Sequence, residues 1–171
     1  MISLYKKQEM IDYLSRFGWT ESRCIKNLDI PKLYSRFFDY LEHDEELNLY
    51  DFPSYKPFPK LFDFWELFGN MDIKFKTPEG RSGVITINEI SIHCCTDFSV
   101  IQTSIHYHTA LFPVAMIEVY RLFLAIDSSG FFHGIYFDGA VSHFSDDFFE
   151  VLDIFINGRP LPEKEYFTKY E

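Results

Sequence analysis

The chain has 171 residues, of which 47% are hydrophobic and 19% aromatic, and it carries 20 phenylalanines and a formal net charge of −10. The hydrophobic content excludes an intrinsically disordered chain, and the length predicts a single domain over residues 1–171 with one phenylalanine-rich core. The negative charge argues against non-specific binding to nucleic acid or to anionic membranes, and it is compatible with a basic protein partner.

Three helices are predicted in the N-terminal part of the chain. Apolar residues spaced three and four apart predict a helix over 3–16, which Gly18 ends in a left-handed conformation. A second helix over 30–43 has a continuous apolar stripe, and Asp29 is placed to cap its start. A third helix, over about 59–68, begins with a proline in its first turn and ends at Gly69.

The pattern then changes to strands. Alternating or β-branched residues predict strands over 73–76 and 84–87, and a further short strand over 90–94. Residues 97–107 fit either a helix or a loop, and their apolar spacing favours a helix. We expect this helix to turn the side chains of Val100, Ile101 and Ile105 inward, with Tyr107 as a fourth candidate.

Strand signals strengthen in the C-terminal half. The Asp138-Gly139 pair is a strong signal for a hairpin with a two-residue loop. The strands predicted here cover residues 111–117, 121–126, 131–137 and 140–143.

A helix closes the chain. Ser145 is predicted to be its N-cap, and Gly158 ends it. Helical spacing places Asp146, Glu150 and Asp153 together on the solvated side, opposite an apolar stripe made of Phe148, Val151, Leu152 and Phe155. Helices first, then an antiparallel mixed sheet and a closing helix, predict an α+β fold.

The acidity of the chain is unevenly distributed. Residues 82–158 contain nine acids and a single base, Arg121, whereas residues 1–81 contain fourteen acids and twelve bases. Two explanations stay open at this point. The acidic segment either forms a binding face for a partner or is a solvated face that keeps an aromatic-rich protein soluble.

Several features predict a cytoplasmic protein. No run of about 18 apolar residues is present to span a membrane. The charged residues Lys6, Lys7 and Glu9, without an apolar stretch behind them, do not fit a secretory signal. The cysteines are three in number and two of them are adjacent, at positions 94 and 95, which is a poor disulfide framework and suits a reducing compartment.

No sequence motif anchors catalysis. The chain lacks the glycine-rich nucleotide loops, the nucleophile elbow, the zinc-protease motif and a C-x-x-C pair. The nearest approach to a metal cluster is His93-Cys94-Cys95 with His106 and His108. It is disfavoured because adjacent cysteines do not have the usual spacing of zinc ligands. A nucleophilic cysteine beside His93 is disfavoured too, because neighbouring side chains of a strand face opposite ways.

We therefore predict no cofactor, no metal and no enzymatic activity. The alternatives are a small enzyme with an unmarked carboxylate or Cys/His site, or a scaffold in a regulatory complex.

A set of short motifs in a fixed order gives the chain a family resemblance. They are Gly18-Trp19 with Arg23, Phe64–Met71, Pro113–Ala115, Leu124–Asp127 with Gly130, and Ser145–Phe148 running on to Leu152 and Gly158. With this order the chain resembles the SUKH superfamily and is most similar to its third subgroup, over about residues 16–160. It departs from the family pattern at Asn70 and Ala115, where glycine is usual. The aromatic motifs near residues 19 and 64–71 are expected to serve packing rather than binding.

The resemblance implies a function as well as a fold. It implies an α+β domain that acts as the immunity protein of a bacterial polymorphic toxin system, binding a toxin domain that is often a nuclease. The expected partner is a cognate, basic toxin domain, with no direct contact to nucleic acid or membrane. The predicted partner-binding residues are the acids of the closing helix and nearby hairpin, followed by three loop acids: Asp138, Asp146, Glu150 and Asp153, then Asp44, Glu45 and Glu46.

Overall fold

The computed structural model describes residues 2–26, 28–43, 54–93 and 98–166. Helices lead into an antiparallel sheet and a last helix follows it, which confirms the predicted α+β class. The helices are α1 Leu4–Ser15, α2 Ile30–Leu33, α3 Ser35–His43, α4 Pro59–Phe68, α5 Glu89–His93, α6 Phe98–His106 and α7 Phe148–Ile156. The strands are β1 Met71–Lys76, β2 Ser82–Ile87, β3 Phe112–Ile117, β4 Leu122–Ile126, β5 Phe132–Tyr136 and β6 Val141–His143. Within these ranges, no helix combines the length and the apolar character needed to cross a bilayer.

The sheet is a six-stranded meander in which the strands lie side by side in chain order. In the first hairpin Met71 lies opposite Ile87, and Lys76 lies opposite Ser82. Residues of β1 alternate between buried and exposed, as expected for a strand covered on one face. All five residues of β4 are buried instead, so the middle of the sheet is covered on both faces.

The larger core lies on one face of the sheet. There Leu122 and Leu124 of β4 join one buried cluster with Trp65 of α4 and Leu152 of α7. The stripe predicted for the closing helix, Phe148, Val151, Leu152 and Phe155, is buried in this core.

A smaller core covers the other face, where α6 lies. Val100 of this helix packs with Phe123, Ala125 and Ile135, which alternate along their strands with residues of the larger core. The helix proposed for residues 97–107 is therefore confirmed.

Aromatic rings fill the end of the larger core next to β3. Tyr34 donates a hydrogen bond from its hydroxyl to the Pro113 carbonyl oxygen at 2.6 Å, and the same hydroxyl accepts one from Trp65 Nε1 at 3.0 Å. Buried polar atoms are thus satisfied within an otherwise apolar cluster. At the centre of this cluster, Phe112 makes ring contacts with Tyr34, Phe38, Tyr55 and Phe58.

Residues 30–43 form two helices instead of the single one predicted. Asp29 caps the first as expected, with Oδ1 accepting a hydrogen bond from Lys32 N at 3.1 Å. The break falls at Tyr34, whose backbone has φ −98° and ψ 7°. The tertiary hydrogen bonds of its hydroxyl hold this residue in the core, and such contacts are not visible in the local apolar pattern.

The strand predicted over 90–94 is wrong, because Glu89–His93 is helical. Asn88 and Ser91 form a reciprocal cap. Asn88 Oδ1 accepts a hydrogen bond from Ser91 N at 3.1 Å, and Asn88 N donates to Ser91 Oγ at 3.3 Å. This capping arrangement starts a helical turn and outweighs the strand preference of the isoleucines in the segment.

The β5–β6 hairpin has a three-residue loop, Phe137–Gly139, instead of the predicted two-residue loop. Tyr136 N donates to the Ala140 carbonyl at 2.9 Å, and Gly139 has φ 85°, a conformation that glycine adopts without strain. The additional loop residue shifts the register by one position. As a result, His133 instead of Gly134 lies opposite His143.

The segment after α7 returns to the sheet and lies along β6. Val141 N donates to the Glu165 carbonyl at 2.8 Å, and Glu165 N donates to the Val141 carbonyl at 2.7 Å. The hydroxyl of Ser142 adds a hydrogen bond to the Glu163 carbonyl at 2.9 Å. These contacts fix residues 161–166 beside the last strand, where Lys164 reaches the β5–β6 loop.

Candidate functional site

The start of α7 carries two of the predicted binding acids. Asp147, not Ser145, is the N-cap, since its Oδ1 accepts a hydrogen bond from Phe149 N at 2.9 Å. Ser145 Oγ instead donates to Glu150 Oε2 at 2.5 Å, and this hydrogen bond lowers the pKa of the Glu150 carboxyl. Asp146, between the serine and the cap, is exposed. The helix therefore has several acidic side chains at its positive end.

Asp138 lies at the other end of β6, in the β5–β6 loop. Its carboxylate accepts hydrogen bonds from Ala140 N at 3.1 Å and from Lys164 Nζ at 3.3 Å. Partial burial opposes ionisation, but these two groups outweigh it and lower the pKa of Asp138. Because β6 separates Asp138 from Asp146, the hairpin acid and the helix acids do not form one patch.

Asp153 is not on the solvated side of α7, and that prediction is wrong. Its side chain is fully buried, because α1 packs along this side of the helix. Its Oδ2 is bound by Arg159 Nη1 at 2.5 Å and by Lys6 Nζ at 3.4 Å, and its Oδ1 accepts a hydrogen bond from Asn157 at 2.7 Å. Burial opposes ionisation, but these three partners lower the pKa of Asp153. The carboxylate thus ties α7 to α1.

The remaining candidates of the sequence lie partly outside the described residues. Asp44, Glu45 and Glu46 fall there, as do Cys94 and Cys95. His106 and His108 are both exposed, one in the last turn of α6 and the other just after it. Across the described ranges, no group of three or more histidine, cysteine, aspartate or glutamate side chains is placed to hold a metal ion.

A row of linked titratable side chains crosses β5 and β6, and the sequence pattern did not predict it. Asp127 Oδ2 lies 3.0 Å from His133 Nε2, and His133 Nδ1 lies 2.9 Å from His143 Nδ1. His143 Nε2 is 3.5 Å from Glu165 Oε2, which accepts a hydrogen bond from the Tyr107 hydroxyl at 3.1 Å. The row links the β4–β5 turn to the C-terminal segment. The sequence could have indicated it through the spacing of His133 and His143, which places them opposite each other if the hairpin loop has three residues.

The pKa shifts of His133 and Asp127 in this row of side chains predict that the protein is less stable in mild acid. Burial, outweighing the attraction of Asp127, lowers the pKa of His133. The folded protein therefore resists protonation at His133 while the unfolded chain takes up a proton near pH 6.5. The contribution of neutral His133 to stability is fully present above that pH, and it is lost as the pH falls towards the folded-state pKa of His133. Asp127 acts further down. Burial opposes its ionisation, but Ser129, His133 and the Phe131 N–H lower its pKa, and its contribution is lost below about pH 4.

Urea unfolding at pH 7 and pH 5 measures the effect. We expect wild type to lose stability over this interval, and His133→Gln to lose less of it, because glutamine keeps a donor near Asp127 but does not titrate. His106→Gln is the control, since His106 is exposed. Identical pH dependence in wild type and His133→Gln would show that the buried imidazole is not responsible.

Comparison with known proteins decides the family. A model of the SUKH-3 immunity protein family matches residues 6–158. The chain belongs to this family. Neither a search of curated proteins nor a search of solved structures found a match.

The residues that carry the SUKH-3 resemblance come together in the fold. Trp19 is stacked on Phe68 of α4 with ring centroids 5.9 Å apart, and it meets Phe149 of α7 edge-on at 5.7 Å. Arg23 donates from its guanidinium to the Gly69 carbonyl at 2.6 Å. The family's aromatic motifs therefore join the N-terminal segment, α4 and α7, and their side chains pack in the core.

Proposed function

We propose that this SUKH-3 protein neutralises a cognate bacterial toxin domain by binding to it, in the cytoplasm of the producing cell, and that the toxin is a basic nuclease. The observation that carries the proposal is the family match over residues 6–158. In this proposal protection comes from occupying the surface of the toxin, and no chemical step by the immunity protein is needed.

The charge of the chain supports a basic partner. A nuclease must attract phosphates, so its substrate surface carries lysine and arginine. A protein of net charge −10 is drawn to such a surface at long range, which speeds encounter and favours this class of partner over acidic proteins.

The acids at the start of α7, exposed Asp146 and partly exposed Glu150, are our proposed contact surface. Asp146 is exposed, and Glu150 is held ionised beside it by Ser145. Asp138, at the far end of β6, is proposed as a separate contact, and the acids at 44–46 remain a second proposal from the sequence. We do not include Asp153 in the proposed contact surface, because its carboxylate is buried and already bound to Lys6 and Arg159.

Two steps test the function. A toxin domain encoded beside this chain should be lethal when expressed alone and harmless when the two are expressed together. The purified pair should elute as one complex in gel filtration. Separate elution of the two proteins, with no rescue of growth, would refute the proposal.

Charge reversal tests the surface. We expect Asp146→Lys with Glu150→Lys to slow association with the toxin about tenfold at low salt, with a smaller effect at high salt. The control is Glu9→Lys with Glu21→Lys, which changes the net charge equally at two exposed acids away from this surface. Stopped-flow or surface-binding kinetics give the rates. Equal slowing by both double variants would assign the effect to net charge and not to this surface.

A further inference from the structure

A recess of about 140 Å³ opens at the end of the sheet where β4 begins and β5 ends. It lies on the opposite end of β6 from the acids of α7. The residues that line it come from the turn before β4, from β5 and its loop, and from the C-terminal segment: Tyr120, Arg121, Tyr136, Phe137, Asp138 and Lys164.

Tyr136 lines this recess and carries an unsatisfied buried hydroxyl. Its side chain is 97% buried, and among the described residues its hydroxyl has no hydrogen-bond partner. The ring is held in place, with Lys164 Nζ 3.7 Å from its centroid. Buried hydroxyls are normally paired, as the hydroxyl of Tyr34 is, because leaving one unpaired is unfavourable. A ligand group that accepts a hydrogen bond would satisfy the hydroxyl of Tyr136.

The charges around the recess favour an anion. Arg121 is the single base of residues 82–158, and in the described part of the chain it forms no ion pair. Its guanidinium carbon lies 5.6 Å from the centroid of the Phe137 ring, which fixes the group beside the recess. Lys164 is paired with Asp138, so one positive charge is left over. A carboxylate fits this set, because it pairs in plane with a guanidinium and accepts from a tyrosine hydroxyl.

We propose that the recess receives the carboxylate of an aspartate or glutamate side chain of the toxin domain. This inference rests on the proposed function and adds a contact of a different kind to it. The 37% exposed ring of Phe137 beside Arg121 supports a protein occupant, since an aromatic ring and an arginine around a small recess are typical of interface anchors. A contact of opposite sign to the α7 surface also fixes the orientation of the partner, because a reversed toxin would place like charges together.

The binding test uses a small probe and does not need the toxin. N-acetyl-L-glutamate N-methylamide is titrated into the ¹⁵N-labelled full chain, with the glutamine analogue as control. We expect saturable shifts of the amides at 120–122, 136–138 and 164 with a millimolar Kd, and none with the amide control. Arg121→Gln should weaken binding about tenfold, and Tyr136→Phe about fivefold.

Stability separates binding from folding. Tyr136→Phe removes an unpaired hydroxyl and should keep Tm within about 2 °C, whereas Tyr34→Phe removes a paired one and should lower Tm by about 5 °C. Three results overturn the proposal: no saturable shift up to 50 mM probe, equal shifts with the glutamine analogue, or micromolar binding of free glutarate, which would make the recess a small-molecule site. Loss of the toxin complex would refute the proposed function and leave the probe result standing. A complex with unchanged affinity in Arg121→Gln would refute the docking of a carboxylate alone.

Discussion

Replacing Phe112 with alanine is expected to lower the free energy of unfolding by about 4 kcal/mol. Phe112 is fully buried and touches four other rings, so alanine leaves a cavity in the middle of the aromatic cluster. Because β3 and α4 both line this cluster, the surrounding residues cannot close the space without moving the sheet. Urea unfolding followed by tryptophan fluorescence measures the loss.

The matched control is Phe62→Ala. Phe62 is on α4 but 37% exposed, and alanine is a good helix former, so we expect a loss below about 1 kcal/mol. Similar losses in the two variants would contradict the placement of Phe112 at the centre of the core. Under the proposed function, Phe112→Ala should reduce protection in cells through lower abundance of folded protein, without touching the proposed contact surface.

Replacing Asp153 with alanine is expected to lower the free energy of unfolding by about 3 kcal/mol at pH 7. The substitution removes charge-assisted hydrogen bonds to Lys6, Arg159 and Asn157. Both cations are about half exposed and return to water, which keeps the loss below that of a fully buried pair.

The pH dependence of this loss provides a check on its cause. The folded-state pKa of Asp153 is lowered, so its contribution is present above about pH 4 and is lost as the pH falls through the folded value. The difference between wild type and Asp153→Ala should therefore narrow in acid. Asp146→Ala, at an exposed position, should change stability by less than about 0.5 kcal/mol. A small loss of stability in both variants would contradict the burial of Asp153 and would indicate that its carboxylate is exposed.

Elements with a strong local signal could be predicted from the sequence. The spacing of apolar residues predicted both ends of α1, α4 and α7 to within two residues. Alternating and β-branched residues predicted the strands of the meander. The error at α5 came from a local cap. The side chains of Asn88 and Ser91 start a helix in a segment whose isoleucines favour a strand.

The site was harder to predict because its partners are distant in sequence. Helical spacing placed Asp153 opposite the apolar stripe, but the position of α1 decides its burial, and Lys6 is 147 residues away. The pairing of His133 with His143 depends on one additional residue in a loop. The recess needs Lys164, which a C-terminal segment without helix or strand pattern brings to Tyr136. Each of these features depends on tertiary packing, which local patterns do not contain.

The C-terminal segment beside β6 also limits how a partner can bind. An exposed edge strand offers its backbone as a template, so another chain can extend the sheet by strand addition. Here both backbone groups of Val141 are already occupied by Glu165. Strand addition at this edge would first have to displace the segment that carries Lys164. Recognition at this edge therefore has to proceed through side chains, which carry the charge and shape that distinguish one partner from another. Under the proposed function, such an edge would favour discrimination between toxins over non-selective strand addition.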